Sequence, residues 1–429
     1  PMLLVVATVA LVAAGRTTAA TSPGSPTVRS DVAIFNEDVW PRLVNSGDGG
    51  DAVGAFVCNG AVLECDADGR IVEIDVSKRQ LSGTLAPALG MLTRLEELDV
   101  SSNGLLGTLP PSLANTLLEE LDVANNALLG AGTPLPVWLS LLNATLEKVD
   151  FDACGFEGPL PPQWSALKKL KELKLDDVQV GGTIPAEWAA LESLEELELN
   201  NAMLHGTLPA ALAALSNLEH FEADDNHFVG PLPPEWAALV RLKELQLDNN
   251  IGINGTIPDA WRALRPEEFS IHTASLSGTL PSWLGEWAPT LKELDLKRNA
   301  LSGALPTSMA QLRKVEVIEL QQNDLGSGDG SNDLDALINA ASDLGKLKEL
   351  DLSFNARLGG TLPPMLQQQL PSLRQLFLEF ANFSGPLTAL DGIELDDIFV
   401  NNNHFWGALP ELSVDGKCRL YSSSPDFAD

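Results

Sequence analysis

Apolar and polar residues alternate along this chain for a few positions, stop, and resume about 24 residues later. The stretch LEELELNNAMLHGTLP, residues 194–209, contains one such unit. Leu197 and Leu199 flank Glu198, which is the period of a strand with one buried and one wet face. Asparagine, glycine and proline follow and interrupt regular structure. Paired apolar positions recur fourteen times: Ile74/Val76, Leu98/Val100, Leu121/Val123, Val149/Phe151, Leu173/Leu175, Leu197/Leu199, Phe221/Ala223, Leu245/Leu247, Phe269/Ile271, Leu294/Leu296, Ile318/Leu320, Leu350/Leu352, Leu376/Leu378 and Ile398/Val400. They are numbered below as turns 1 to 14. The spacing widens before Val149 and before Leu350. The pattern predicts fourteen short strands, none able to bury its own leucines, so neighbours must stack and the ends need caps.

The consensus L-x-x-L-x-L-x-x-N-x-L-x-G-T-[LI]-P-x-x-[LW]-x-x-L resembles the plant-type leucine-rich repeat, over residues 69–410. The resemblance implies an α/β solenoid, curved and right-handed, with a parallel β-sheet on the concave face. The P-x-E-W variants, as in LPPEWAAL (232–239) and IPAEWAAL (184–191), resemble kinetoplastid surface antigens and algal extracellular repeat proteins. Residues 31–68 look like the family's N-terminal cap, with a helix around Asp31–Leu43. Cys58 and Cys65 are close in sequence and match the spacing of the cap disulfide in that family. Residues 411–429 are expected to be a C-terminal cap or tail.

Each repeated position has a physical task. Asn103, Asn126, Asn226, Asn250, Asn299, Asn323, Asn355 and Asn403 form one column, where a buried amide can satisfy backbone groups of adjacent turns. Cys154 stands in that column and reads as a buried structural thiol. Val178, Ala202, Ala274 and Ala381 interrupt it, so those turns must satisfy their backbone otherwise, with water as one means. Trp164, Trp188, Trp236 and Trp261 share a register three residues after a proline and are expected inside the convex wall, not on a sugar platform. The segment 326–344 is expected to carry a flexible lead and a helix. Its Asp329, Ser331, Asp333 and Asp335 lack the glycine and glutamate of a calcium loop.

Charge narrows the function. With 59 acids against 27 bases the net charge is −32, which disfavours nucleic acid and anionic membranes and permits cationic partners. Met2–Ala14 is apolar and followed by small residues, so residues 1–20 read as a secretory signal. That places the protein outside the cell, secreted or at the cell surface. No later segment is apolar enough to span a membrane, and a membrane link would need an anchor not seen in this chain. Asn143, Asn254 and Asn382 head glycosylation sequons.

The wet residues of the strands form the concave face, and many are acidic: Glu97/Asp99, Glu120/Asp122, Glu196/Glu198 and Glu222/Asp224 are examples. Carboxylates on strands about 4.8 Å apart repel by roughly 0.8 kcal/mol in bulk water. Lys171, Lys243, Lys292, Lys348 and Arg374 stand in an adjacent column and relieve this. Asp122, Glu198 and Asp224 represent the stripe that could steer a basic partner. Towards the C-terminus, Phe377 and Phe399 replace acids, and Phe354 and Phe380 share the column before the ladder residue. These four could anchor a ligand, or pack under a cap containing Trp406 and Tyr421. His220 and His272 lie two turns apart, and no catalytic motif, cofactor motif or metal spacing is present. The reading is a non-enzymatic, extracellular recognition module for a protein or glycan. Its rivals are a surface coat without a ligand and an inhibitor of a secreted hydrolase. A threonine column (Thr84, Thr108, Thr183, Thr207, Thr256, Thr279) is better explained by β-branched packing than by ice binding.

Overall fold

The computed structural model describes residues 29–44, 56–329, 331–338, 343–363, 366–408, 410, 413–414 and 416–420. The expected leader at residues 1–20 and Tyr421 lie outside them.

The paired apolar positions of the fourteen turns each hold a strand, and these strands pair in parallel and in chain order within one 16-stranded sheet. The register places like on like: Leu98 faces Ile74 and Leu121, and Leu245 faces Phe221 and Phe269. The sheet opens with Leu63–Cys65, antiparallel to Ile71–Asp75, and closes with Cys418–Arg419, parallel to Asp397–Phe399. The inward leucines form one continuous buried core from the cap to turn 14.

After each strand the asparagine column does what its position requires. Asn226 donates its amide to the Leu199, Ala223 and Asp224 carbonyls, and its Oδ1 accepts the Ala202 and Leu204 N–H groups. The interruptions at Ala202 and Ala381 therefore need no water at these amides: the next turn's Asn226 and Asn403 supply the acceptor. Cys154 is buried, and its thiol donates to the Val123 carbonyl over 3.2 Å.

Glycine in the left-handed region then turns the chain. At Gly206, Gly278 and Gly303 (φ +83°, +80° and +81°) an added Cβ would lie within 3 Å of a threonine methyl on the preceding turn. The threonine column thus packs on the glycine column beside a second, 6-stranded sheet. A proline starts most convex segments, which are short 3₁₀ helices such as Pro162–Ala166 and Pro234–Ala238, while Leu366–Gln369 is α-helical. Trp164, Trp188, Trp236 and Trp261 are fully buried in that wall. Each indole N–H donates to a proline carbonyl of an earlier turn, over 2.9 to 3.1 Å. No platform for a sugar exists there.

The N-terminal cap is helical over Asp31–Ile34, Phe35–Val39 and Trp40–Leu43, the middle piece being a π-helix. Asn36 ties it to Phe56 by a reciprocal pair of hydrogen bonds, and Cys58 is bonded to Cys65. In the inserted segment, the described residues contain one 3₁₀ turn, Asp333–Ala336, a shorter element than the expected helix. Asp333 accepts the Ser327 N–H and Asp329 the Ser331 N–H, so these carboxylates brace their own loop.

Candidate ligand-binding surface

Each turn offers four wet concave positions, here called the first to fourth columns. In turn 2 they are Glu97, Asp99, Ser101 and Ser102. The third position carries a backbone problem. Continuing the parallel pattern would send the Ser101 N–H to the Val76 carbonyl, but that carbonyl already accepts the Asn103 side-chain amide. The third-column N–H therefore needs another acceptor.

Acids supply it in two ways. In turns 1 to 4, 10 and 12 the second-column aspartate of the same turn accepts it: Asp75, Asp99, Asp122, Asp150, Asp295 and Asp351, at 2.8 to 3.1 Å. In turns 5 to 9 the acceptor is the third-column side chain of the preceding turn. Asp176, Asn200, Asp224, Asp248 and His272 donate their N–H groups to Asp152, Asp176, Asn200, Asp224 and Asp248 in sequence, at 2.6 to 2.7 Å. Many concave carboxylates are thus structural acceptors, a role the sequence reading missed.

Half-burial changes their charge as well. Desolvation first, with repulsion from neighbouring carboxylates, pushes Asp122 up to about 6, and Asp152 and Asp224 up to about 7. Glu198 rises to about 8, chiefly by desolvation and then by its hydrogen bond to Glu196. Lys174 lies between Glu196 and Glu198, 2.7 Å from the latter, and Lys297 between Asp295 and Glu319, 2.5 Å from each. Lys171, Lys243, Lys292 and Lys348 each pair with a glutamate of the preceding turn, whereas Arg374 donates to the Leu373 and Glu394 carbonyls. His220 meets Glu244 at 2.9 Å and His272 meets Asp248 at 3.1 Å. The middle of the face is a braced lattice of acceptors and ion pairs, in which burial holds Asp152, Asp224 and Glu198 well above the usual carboxylate range. Asp152, Asp176 and Glu198 bring three oxygens within 4.8 Å, a hard-cation donor set. Asp152 and Asp176 already accept N–H groups, and Glu198 holds Lys174.

The C-terminal turns differ. Phe354 and Phe380 stack, with centroids 4.9 Å apart and planes 20° from parallel, and remain 42% and 45% exposed. Their backbones are left-handed, at φ +57° and +51°, in a fourth column otherwise filled by residues such as Asn125, Asn201, Asn249 and Asn402. A bulky residue there is an outlier. Phe377 and Phe399 pair at 5.1 Å, and the Arg419 guanidinium lies 4.5 Å over the Phe399 ring. Trp406, at 55% exposure, makes no ring contact with these four among the described residues. Asn143, Asn254 and Asn382 are exposed, and none lies on a strand of the concave sheet. Cys154, pushed up to about 12 mainly by burial, is unsuited to nucleophilic work.

Three comparisons bear on this geometry. The model of the family "Leucine Rich Repeat" matches residues 94–116 and 290–312. Receptor-like protein 43 of Arabidopsis thaliana is 32% identical over 136 residues, which is 31% of this chain and 17% of that protein. The chain thus matches less than a fifth of the length of its curated relatives. The crystal structure of a TDR receptor superposes with a TM-score of 0.65 at 25% identity, over 80% of this chain and 65% of that one. The Arabidopsis receptor kinase HAESA, solved with the peptide hormone IDA and the co-receptor SERK1, gives 0.52 at 22% identity, over 89% of this chain and 79% of that one, and shares the fold.

Proposed function

We propose, from the premise that the chain is a leucine-rich-repeat protein of the plant type, that its concave face binds a protein or peptide outside the cell and that turns 12 to 14 carry the contact. One observation carries the reading: these turns expose the Phe354/Phe380 pair and leave Phe377 and Phe399 half-buried beside it, and of the described residues only Arg419 makes a cation–ring contact with any of the four. Aromatic anchors of this kind concentrate binding energy. The receptor named among the solved relatives at 25% identity is consistent with a binding module. The Cys58–Cys65 bond suits an oxidising compartment, and glycans on Asn143, Asn254 and Asn382 would leave the concave strands bare. Recognition is the work this face suits, and both histidines of the concave strands pair with carboxylates of the lattice.

The test uses the full chain as bait in the secreted fraction of its source, followed by hydrogen exchange on the captured complex. Protection should centre on residues 375–402. Phe377→Ala and Phe399→Ala should abolish capture by faster dissociation while the thermal melt is retained. Protection on the convex wall or the second sheet instead would overturn the reading.

A further inference from the structure

Resting on that reading, we infer that turns 11 to 14 hold a receptor for a guanidinium group, the arginine side chain of the polypeptide ligand. The second-column pair, Phe377 and Phe399, and the fourth-column pair, Phe354 and Phe380, stand on either side of the third column. That column runs Gln321, Ser353, Glu379 and Asn401 across the four turns.

The third column places one carboxylate, Glu379, between the two ring pairs, next to the Ser353 hydroxyl and the Asn401 amide. Glu379 makes no ion pair among the described residues, and neither does Asp351 beside it. At both ends of the column, Gln321 Oε1 and Asn401 Oδ1 are shielded from solvent and have no hydrogen-bond partner. These oxygens lie beneath the surface and three strands apart, so the group that a ligand cation would meet between the rings is Glu379. In the middle turns each third-column oxygen accepts a backbone N–H of the next turn, and of the terminal residues Ser353 Oγ does the same for the Glu379 N–H at 3.0 Å, whereas Glu379 itself has no such bond among the described residues.

The occupant must therefore bring several donors, a positive charge and a flat face that lies on an aromatic ring. A guanidinium has all three: five N–H donors in a plane, permanent charge, and weak hydration that favours stacking. An ammonium has the charge but not the plane. A neutral sugar has a face for stacking but leaves Glu379 uncompensated. The chain already contains one instance of the contact, with Arg419 over Phe399, whereas no cation–ring contact covers Phe354 or Phe380 among the described residues. The left-handed backbone of Phe354 and Phe380 gives a clean control. Asparagine is native to that column at four other turns, so Phe380→Asn removes the ring while keeping a residue suited to the conformation.

The experiment titrates the full chain at physiological salt with three blocked tripeptides, Gly-Arg-Gly, Gly-Lys-Gly and Gly-citrulline-Gly, by calorimetry and aromatic proton NMR. The arginine peptide should bind about tenfold more tightly than either other peptide, as the bidentate, stacking group. The preference should vanish in Phe380→Asn and in Glu379→Gln, both with unchanged melts, and survive in Asp122→Asn. Equal binding of the lysine and arginine peptides, or a preference that persists in Phe380→Asn and Glu379→Gln, would overturn the inference. So would saturation of the same rings by cellotriose without any response to the arginine peptide. If no peptide binds while partner capture still depends on Phe377 and Phe399, the guanidinium site is wrong and concave-face binding stands. If capture is also indifferent to them, both fail.

Discussion

Turns 5 to 9 and turns 12 to 14 present the same four wet columns in the same register, yet they fill them differently, sharing only the relay by which Ser353 Oγ accepts the Glu379 N–H. In the middle turns, Asp152, Asp176, Asn200, Asp224 and Asp248 each accept the N–H of the following turn, and Lys174 bridges two glutamates. Those side chains are engaged in holding one turn to the next. In the terminal turns, among the described residues, Glu379 has no ion pair, Asn401 Oδ1 has no donor, and the rings of Phe354 and Phe380 are exposed. The acids draw the eye because they are many, but their bonds are internal. On the proposed reading, an external partner would be met where internal bonds are missing.

The comparison breaks first at Asp224. If its Oδ1 is the acceptor that Asp248 requires, Asp224→Ala orphans a half-buried amide and should cost about 1–3 kcal/mol in chemical denaturation. Asp224→Asn should be nearly neutral, because Asn200 performs the same task one turn earlier. Equal losses for alanine and asparagine would show that the ladder bond carries no stability.

Acidity tests the same lattice as a whole. Asp152 and Asp224 titrate near 7 in the fold and near 4 when unfolded, so the native state holds more protons between those values. Their contribution is fully present below the unfolded value and is lost as pH rises through the folded one. The melting temperature should therefore fall from pH 5 to pH 8, and the doubly substituted Asp152→Asn, Asp224→Asn chain should show a flatter curve. A melt that rises over that range would remove the half-buried lattice from the account. At the small end, Lys243→Met breaks an exposed pair with Glu219 and should change stability by under about 0.5 kcal/mol. A loss as large as that of Asp224→Ala would mean that the rim, and not the third column, holds the turns together.

Much of this was legible in the sequence, for reasons that particular residues make plain. The Leu197/Leu199 type of pair has a period of two and recurs at a fixed interval, so strand, register and buried face follow from spacing alone. The asparagine column and the buried tryptophans are equally periodic. The task of Asp152 was not legible, because it depends on which carbonyl the ladder asparagine takes from the neighbouring N–H, a fact of three dimensions. Phe354 and Phe380 could be noticed by breaking their column, but their exposure could not. Cys418–Arg419 carries no repeat signature, so the last strand and the arginine over Phe399 went unforeseen. Gln321 and Asn401 are ordinary amides in the sequence, and only their missing partners single them out.

The stacked indoles of the convex wall have an optical consequence. Trp164 and Trp188 lie 6.2 Å apart and within 9° of parallel, and Trp236 and Trp261 lie 6.4 Å apart and within 4°. Rings so placed and so dry will emit at short wavelength and pass excitation to one another, which depolarises the light. These chromophores sit between turns 4 and 9, while the described concave rings of turns 12 to 14 are phenylalanines. Trp40 and Trp406 lie towards the two ends, so the short-wavelength, depolarised part of the emission will watch the middle of the array and circular dichroism the whole. In a solenoid held together by nearest neighbours, a gap between the two melting curves would measure how far the ends come apart before the centre does.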